Sequence, residues 1–422
     1  MNVSAHRAFS FLRTYGYERV SCSKEERTVA EALLNECTSL GVSAQLEEFT
    51  VPCGRVSHAL LRVTSPYVKE YEVTGYERAA STPEGGLDTE FLYVENADEV
   101  LLEQAKGKIV LVNGYLNRAT YEKLRKAEAA AILTFPGRTI DRESESDLNR
   151  CKLRETLTEP FGAVPVLNMR AASAAEIVRR GAKTVHIELT GECYDGTSQN
   201  VCATIPGTDK PSEVITLGGH YDSVYFSSGV HDNLSGSVIV LELLRYFAAH
   251  PPRRTLRFCW FGSEEQGLLG SKAYVKAHAD ELKDCVAMLN FDVAAPTLGS
   301  NHLVPLATDD ALHYVAGVLR EAGYGVRAKQ DTYSSDCIPF ADNGVPAINL
   351  ARFGANGADY MHNRHDSLKS GYLDEHALDI TLQQGFVLLA RLANAASFPI
   401  KREIAPEIRQ KVDEYLFKAK KE

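Results

Sequence analysis

From Asn200 to Ala396 short apolar runs alternate with amphipathic ones. "NVCATIPG", "EVITLGG", "TLRFCWF", "CVAMLNFDV" and "PAINLAR" read as strands. "SGSVIVLELLRYFAAH", "LLGSKAYVKAHADEL", "DDALHYVAGVLREAG" and "DEHALDITLQQGFVLLARLANAA" carry helical spacing. This alternation restricts the chain to an α/β fold, a mostly parallel mixed sheet with helices on both faces. In such sheets ligands gather at the carboxyl ends of the strands.

The segment before this rhythm has two parts. Residues 23–42 predict a helix: Ser23 with Glu26 forms a capping box, Val29, Leu33, Leu34 and Cys37 recur at helical spacing, and Gly41 supplies the stop. "AQLEEFTV" then alternates like a strand. Between 58 and 100 lie strand-like "HALLRVTS" and "EFLYV", separated by the turn-rich "STPEGGLD". From 106 a second rhythm runs through "KGKIVLVNG", "ATYEKLRKAEA", "AAILTF", "VPVLNM", "AASAAEIVRRGA" and "KTVHIEL", interrupted by a polar stretch at 137–160. It predicts a smaller α/β module ending near Tyr194. The expected layout is a discontinuous domain, 1–57 with 196–422, carrying an insert at 58–195.

A chain of 422 residues suits such a division. The net charge is −10 and the only basic cluster is "KAKKE" at 418–422, read as a solvated helix end, which argues against nucleic acid. No run of about 18 apolar residues predicts a membrane helix. The first twenty residues lack a basic stretch followed by an apolar core, and nine scattered cysteines form no CxxC pair. A cytoplasmic protein with reduced thiols is expected, and a cysteine zinc site is not.

The titratable residues fall where the fold rule puts a site. His220 and Asp222 follow "EVITLGG"; Asp232 lies in "GVHDNLSGS"; Glu264 and Glu265 follow "RFCWFGS"; Asp292 ends "AMLNFDV"; His362 lies in "DYMHNRHDS", after "PAINLAR". Singly, each is weak: an Asp after a strand is usually a turn or cap, and an adjacent pair of Glu is usually a solvated face. Jointly, two His, three carboxylates and a spare Glu at one sheet edge would be costly to bury without a cation. Imidazole and carboxylate suit zinc. Five ligands are too many for one catalytic zinc but fit two ions roughly 3.5–4 Å apart sharing a carboxylate. The two ions bring four positive charges; three carboxylates and a bridging hydroxide bring the site near neutral.

The stretches "GGHYDS", "GVHDNLSGS", "FGSEEQGLLGS", "LNFDV", "SSDCIPFADNGVPAINL" and "YMHNRHDS" resemble, in family order, the co-catalytic zinc peptidases of the M28 family. The resemblance covers 1–55 and 196–400, and the short step from His220 to Asp232 is part of it. It implies a zinc exopeptidase fold with two zinc ions and a peptide substrate. By it, His220, Asp232, Glu265, Asp292 and His362 are the metal ligands, with Asp232 bridging and the others not assigned to one ion or the other. His362 stands at the family's spacing to Asp366; His365 is the competing choice. Glu264 would be the general base, moving a proton from water to the leaving amine, and Asp222 would accept the second imidazole N–H of His220. No organic cofactor is implied.

The sequence departs from the family in places. Relatives often carry Tyr directly before the last His, where this chain has Met361, with Tyr360 one residue further back. His231, before the bridging Asp, reads as a partly exposed neighbour. The 106–194 module resembles a protease-associated (PA) domain, carried by "KGKIVLVNG" and "VPVLNM". "APEIRQKVDEYLFKAKKE" spaces Ile408, Val412 and Leu416 as an amphipathic helix, either packed on its own domain or forming a homo-oligomer contact. The reading is a di-zinc aminopeptidase. A carboxypeptidase or dipeptidase is the alternative, with Arg352 and Arg364 near the last ligand to receive a carboxylate. A non-catalytic scaffold would have lost ligands, and none is lost here.

Overall fold

Four strands of the alternation from Asn200 to Ala396 lie side by side and parallel in the computed structural model, which describes residues 2–142, 148 and 150–418. Lys210–His220 is central, flanked by Arg254–Phe261 and Cys285–Phe291, and Ala347–Gly354 pairs with Cys285–Phe291. The register places Phe261 opposite His220 and Phe291 opposite Leu350, so the carboxyl ends align. Two antiparallel additions make the sheet mixed. Residues 201–205 of Thr184–Ile205 pair with Arg254–Phe261, and Gly299–Leu306 pairs with Ala347–Gly354.

Strand alternation sorts the core into two layers. Leu256, Phe258 and Trp260 point to one face, where they join Leu217, Leu241, Phe247 and Leu389. Cys259 and Phe261 point to the other, with Met288, Phe340, Ile408 and Val412. Both faces are therefore covered by helices: Ser235–Ala249 and Glu375–Asn394 on the first, Leu269–Ala277 and Pro406–Tyr415 on the second. Each fully buried Leu, Ile or Phe contributes about 1.5–3 kcal/mol. Ile408 and Val412 are spent on their own domain's core; of "KAKKE", residues 419–422 lie outside the described residues. Among the described residues no helix is long and apolar enough to cross a membrane.

By internal contacts the chain divides into two compact units, Met1–Val51 with Thr197–Glu422, and Pro52–Gly196. In the second, Leu87–Tyr93, Ile109–Leu111, Ala131–Thr134 and Val166–Met169 run parallel, with Val73–Gly75 antiparallel at the edge. Its strands also have two apolar faces, one with Val110, Tyr121 and Ile132 and the other with Ile109, Leu111 and Ile177.

Two strands that pair with the central parallel strands differ from the sequence reading. Thr184–Ile205 is one strand, whereas the glycines and polar residues of "GECYDGTSQN" read as a break. Glu192, Cys193, Tyr194 and Asp195 are exposed, whereas Ser198, Gln199 and Asn200 are buried and bonded to Glu26, Tyr221 and the Gly270 carbonyl, so the polar run is accommodated in a strand. The strand Gly299–Leu306 was not anticipated; Pro305 and its mixed polarity disguise it.

Candidate metal centre

The strand ends and their loops carry every candidate to one place. His220 closes its strand, Asp222 lies two residues on, Asp292 is one past Phe291, and Glu264 and Glu265 open a short turn three past Phe261. Asp232 returns through the loop that leads into helix Ser235–Ala249. That loop turns back sharply against the sheet. Asn233 donates its side-chain N–H to the Phe291 carbonyl at 2.8 Å, and its Oδ1 accepts from Gly236 N and Val293 N.

The distances define two groupings around one carboxylate. His220 Nε2 lies 3.1 Å from Asp232 Oδ1 and 3.7 Å from Asp292 Oδ1. His362 Nε2 lies 3.0 Å from Asp232 Oδ2 and 3.2 Å from Glu265 Oε2. Each oxygen of Asp232 thus faces a different imidazole. His220–Asp232–Asp292 and Asp232–Glu265–His362 each present three ligand atoms within 4.8 Å of one another, and so does an overlapping set, His220–Glu264–Glu265. Glu264 Oε2 stands back at 3.9 Å from His220 Nε2.

The electrostatics call for positive charge. Burial alone would lower the His220 pKa, yet Glu264, Asp222, Asp232 and Asp292 hold it well above its ordinary value. Glu265, against burial, and then Asp232 push His362 up to about 12. Burial raises Glu264, with Glu265, Asp336 and Asp292 adding to the rise against His220. Burial likewise raises Asp292 and Glu265. His362 Nε2 faces two carboxylates at hydrogen-bond distance, and one N–H shared between them serves each less well than a full bond. A metal cation between nitrogen and oxygen donors removes that conflict, and this donor set is one zinc accepts. The residues present fit the ion.

Supporting contacts orient the ligands. Asp222 Oδ1 lies 3.3 Å from His220 Nδ1. The same carboxylate accepts the backbone N–H of Glu264 at 3.0 Å and of Glu265 at 3.2 Å, a task that the sequence reading did not include. Asp366 accepts the N–H of His231 at 2.7 Å and of Asp232 at 3.0 Å. His362 and His365 are both exposed, but His362 reaches the cluster while His365 packs against Tyr360. The Tyr360 hydroxyl donates to the Gly357 carbonyl.

One reading is corrected. His231 is not partly exposed but fully buried, with Nδ1 at 2.7 Å from the Ala294 carbonyl and its ring edge-on to Tyr372. The loop folds its polar residues inward because the strand ends offer carbonyls and carboxylates there. The residues that sequence reasoning missed are Arg19 and Glu26. Arg19 sits in "YGYERVSCS", which carries no motif or period. Glu26 gave only its cap signal, yet it also accepts the N–H of Ser263, just before Glu264.

A carboxyl edge so equipped defines a class: metal-dependent hydrolases on an α/β scaffold. The family model of peptidase family M28 matches residues 200–383. Among curated proteins, the aminopeptidase YwaD of Bacillus subtilis is 26% identical over 405 residues, 92% of this chain and 83% of that protein. Carboxypeptidase Q of Mus musculus is 27% identical over 274 residues, and the match spans 62% of this chain but only 58% of that protein. The solved structure of BSAP, a zinc aminopeptidase from Bacillus subtilis, shares the fold with a TM-score of 0.78 at 21% identity, over 96% of this chain and 99% of that one.

Proposed function

We propose that the chain is a two-zinc aminopeptidase that removes N-terminal residues from peptides. The observation that carries this is the division of Asp232: one oxygen toward His220 and Asp292, the other toward Glu265 and His362. His220, Asp232 and Asp292 would hold one ion, and Asp232, Glu265 and His362 the other. Bound zinc supplies Lewis acidity, polarising the scissile carbonyl and bringing the pKa of a coordinated water to about 7.

The remaining steps belong to the protein. Glu264 is absent from the two groupings that share Asp232 and overlaps them only through His220 and Glu265, with its pKa raised by burial. A carboxylate so placed takes a proton from water and returns it to the leaving amine. Asp222 holds Glu264 and Glu265 by their backbone N–H groups and faces His220 Nδ1, so it orients base and ligand together.

The carboxypeptidase reading needs a cation free to receive a substrate carboxylate. Arg352 is engaged elsewhere: it donates to the Pro296 carbonyl, Asn301 Oδ1 and the Thr297 carbonyl. The names of the relatives YwaD and BSAP support the aminopeptidase side, and carboxypeptidase Q the other. We read Pro52–Gly196 as a protease-associated insert, supported by its parallel strands.

The test is elemental analysis together with hydrolysis of aminoacyl-nitroanilides and N-blocked peptides. Two zinc per chain with cleavage of free-amino substrates is expected. Cleavage of N-blocked peptides alone would replace the aminopeptidase by a carboxypeptidase. Absence of metal would refute the centre.

A further inference from the structure

Between His220 and Asp232 the chain must leave the sheet and return, placing Asp232 Oδ1 3.1 Å from His220 Nε2. Residues 221–229 of this path form no helix or strand. Their main-chain carbonyls instead converge on one side chain from the N-terminal segment. Arg19 is fully buried. Its Nε donates to the Tyr221 carbonyl at 2.7 Å. Nη1 donates to Ser228 O at 2.7 Å, to Tyr17 O at 2.5 Å and to Tyr15 O at 3.3 Å. Nη2 donates to Gly229 O at 2.8 Å.

Five carbonyls accept from the guanidinium: one from Nε, three sharing the two N–H groups of Nη1, and one from Nη2. All go to carbonyls, on both ends of the loop and on Arg19's own segment. The backbone joins in: Arg19 N–H donates to Ser223 Oγ at 2.9 Å, and Ser223 N–H to Arg19 O at 3.1 Å. The loop is closed tightly around this group. A Cβ on Gly229, whose φ is +51°, would stand 2.5 Å from Ser223 Cβ and 3.0 Å from Arg19 Nη2. Nearby, Ser21 and Glu26 bind Ser263 through its hydroxyl and its N–H, so the same segment also touches the turn before Glu264.

We propose that Arg19 is a positioning residue for the metal centre: its fork fixes the 221–229 loop and thereby the mutual placement of His220 and Asp232. This rests on the two-zinc reading above. A buried cation without a direct carboxylate partner is costly. Burial lowers the Arg19 pKa to about 10, while Asp366, Asp222 and Asp232 oppose the fall, so the group stays charged at neutral pH. Lysine keeps the charge but presents its donors from one point, and cannot reach the carbonyls of Tyr17, Tyr221, Ser228 and Gly229 together.

The experiment is zinc affinity, measured on the full chain stripped of metal and titrated against a competing chelator, with the visible spectrum of the cobalt-loaded protein as second readout. Arg19→Gln and Arg19→Lys should both bind zinc more weakly, by about 10–100-fold as for other groups supporting metal ligands, with an altered cobalt spectrum. A purely structural role would lower the unfolding temperature and leave zinc affinity, read well below that temperature, unmoved. Wild-type affinity in a folded Arg19→Gln or Arg19→Lys would overturn the proposal. Should both fail to fold, Ser223→Ala decides. It removes the acceptor of the Arg19 N–H while leaving the fork, and should weaken zinc binding by a smaller factor in the same direction. Unchanged affinity and spectrum there would equally overturn it. Wild-type protein that binds no zinc would refute the metal centre itself, a distinct result.

Discussion

Gly236 stands where helix Ser235–Ala249 begins beneath the metal-binding loop, and its missing side chain sets how close that helix comes to the sheet. A methyl group there would lie 2.1 Å from the Phe291 carbonyl oxygen and 2.5 Å from Asn233 Oδ1. Real Cβ contacts essentially never fall under 3.0 Å, so the Phe291 carbonyl must retreat by roughly an ångström. That atom is backbone, and it accepts the Asn233 side-chain N–H; the next residue is Asp292. Gly236→Ala should therefore cost about 1–3 kcal/mol of stability as an overpacked core does. It should also reduce kcat/KM about 100-fold, the penalty for an ångström's misplacement in a catalytic constellation. Chemical denaturation gives the first number and nitroanilide hydrolysis with zinc analysis the second. Gly317→Ala is the control. Gly317 lies inside helix Asp309–Glu321 with nothing within 4 Å of an added Cβ, and the change should stabilise by about 0.5–1 kcal/mol. Wild-type stability and activity in Gly236→Ala would refute the claim that this close approach places Asp292.

Glu264→Gln should retain zinc and lose about 10²–10⁴-fold in kcat, because the general base goes while both ligand groupings stay; full activity would remove Glu264 from that role. His362→Ala should bind about one zinc fewer per chain, whereas exposed His365→Ala should change stability by less than about 0.5 kcal/mol and keep its metal; elemental analysis separates them, and the reverse result would exchange the two residues. Asp366→Asn keeps the shape but offers one acceptor where two N–H groups call for two, so thermal unfolding should show a loss of about 1.5–3 kcal/mol, and an unchanged midpoint would show that the two bonds matter little.

How much of this was legible follows from range. His220, Asp222 and the Glu264–Glu265 pair sit directly at strand ends, and strand ends are visible in hydrophobic pattern. The rule that sites form at carboxyl edges then joins residues far apart in sequence. His362 was harder, eight residues past Gly354 in an irregular loop, and only its spacing to Asp366 separated it from His365. Arg19 was illegible because its partners are carbonyls, which every residue has, so no side-chain pattern marks them. His231 misled for a related reason. Its burial depends on the Ala294 carbonyl and the Tyr372 ring, brought together by tertiary packing alone.

Seven of the carboxylates at this edge divide by task through their partners. Asp222, Asp366 and Glu26 accept backbone N–H groups: Glu264 and Glu265 for the first, His231 and Asp232 for the second, Cys22 and Ser263 for the third. Such bonds satisfy a buried carboxylate without a cation, and here each one fastens a loop that carries or adjoins the site. Asp232, Asp292 and Glu265 instead face imidazole nitrogens that other carboxylates also approach. A metal cation would relieve that competition, which supports these three as ligands of the proposed centre and leaves the first three to fasten loops. Glu264 belongs to neither set. Its oxygen stands 3.9 Å from the nearest imidazole nitrogen, and its own N–H is held by Asp222. A carboxylate with its backbone so fixed can gain and lose a proton, the property that the proposed general-base role requires.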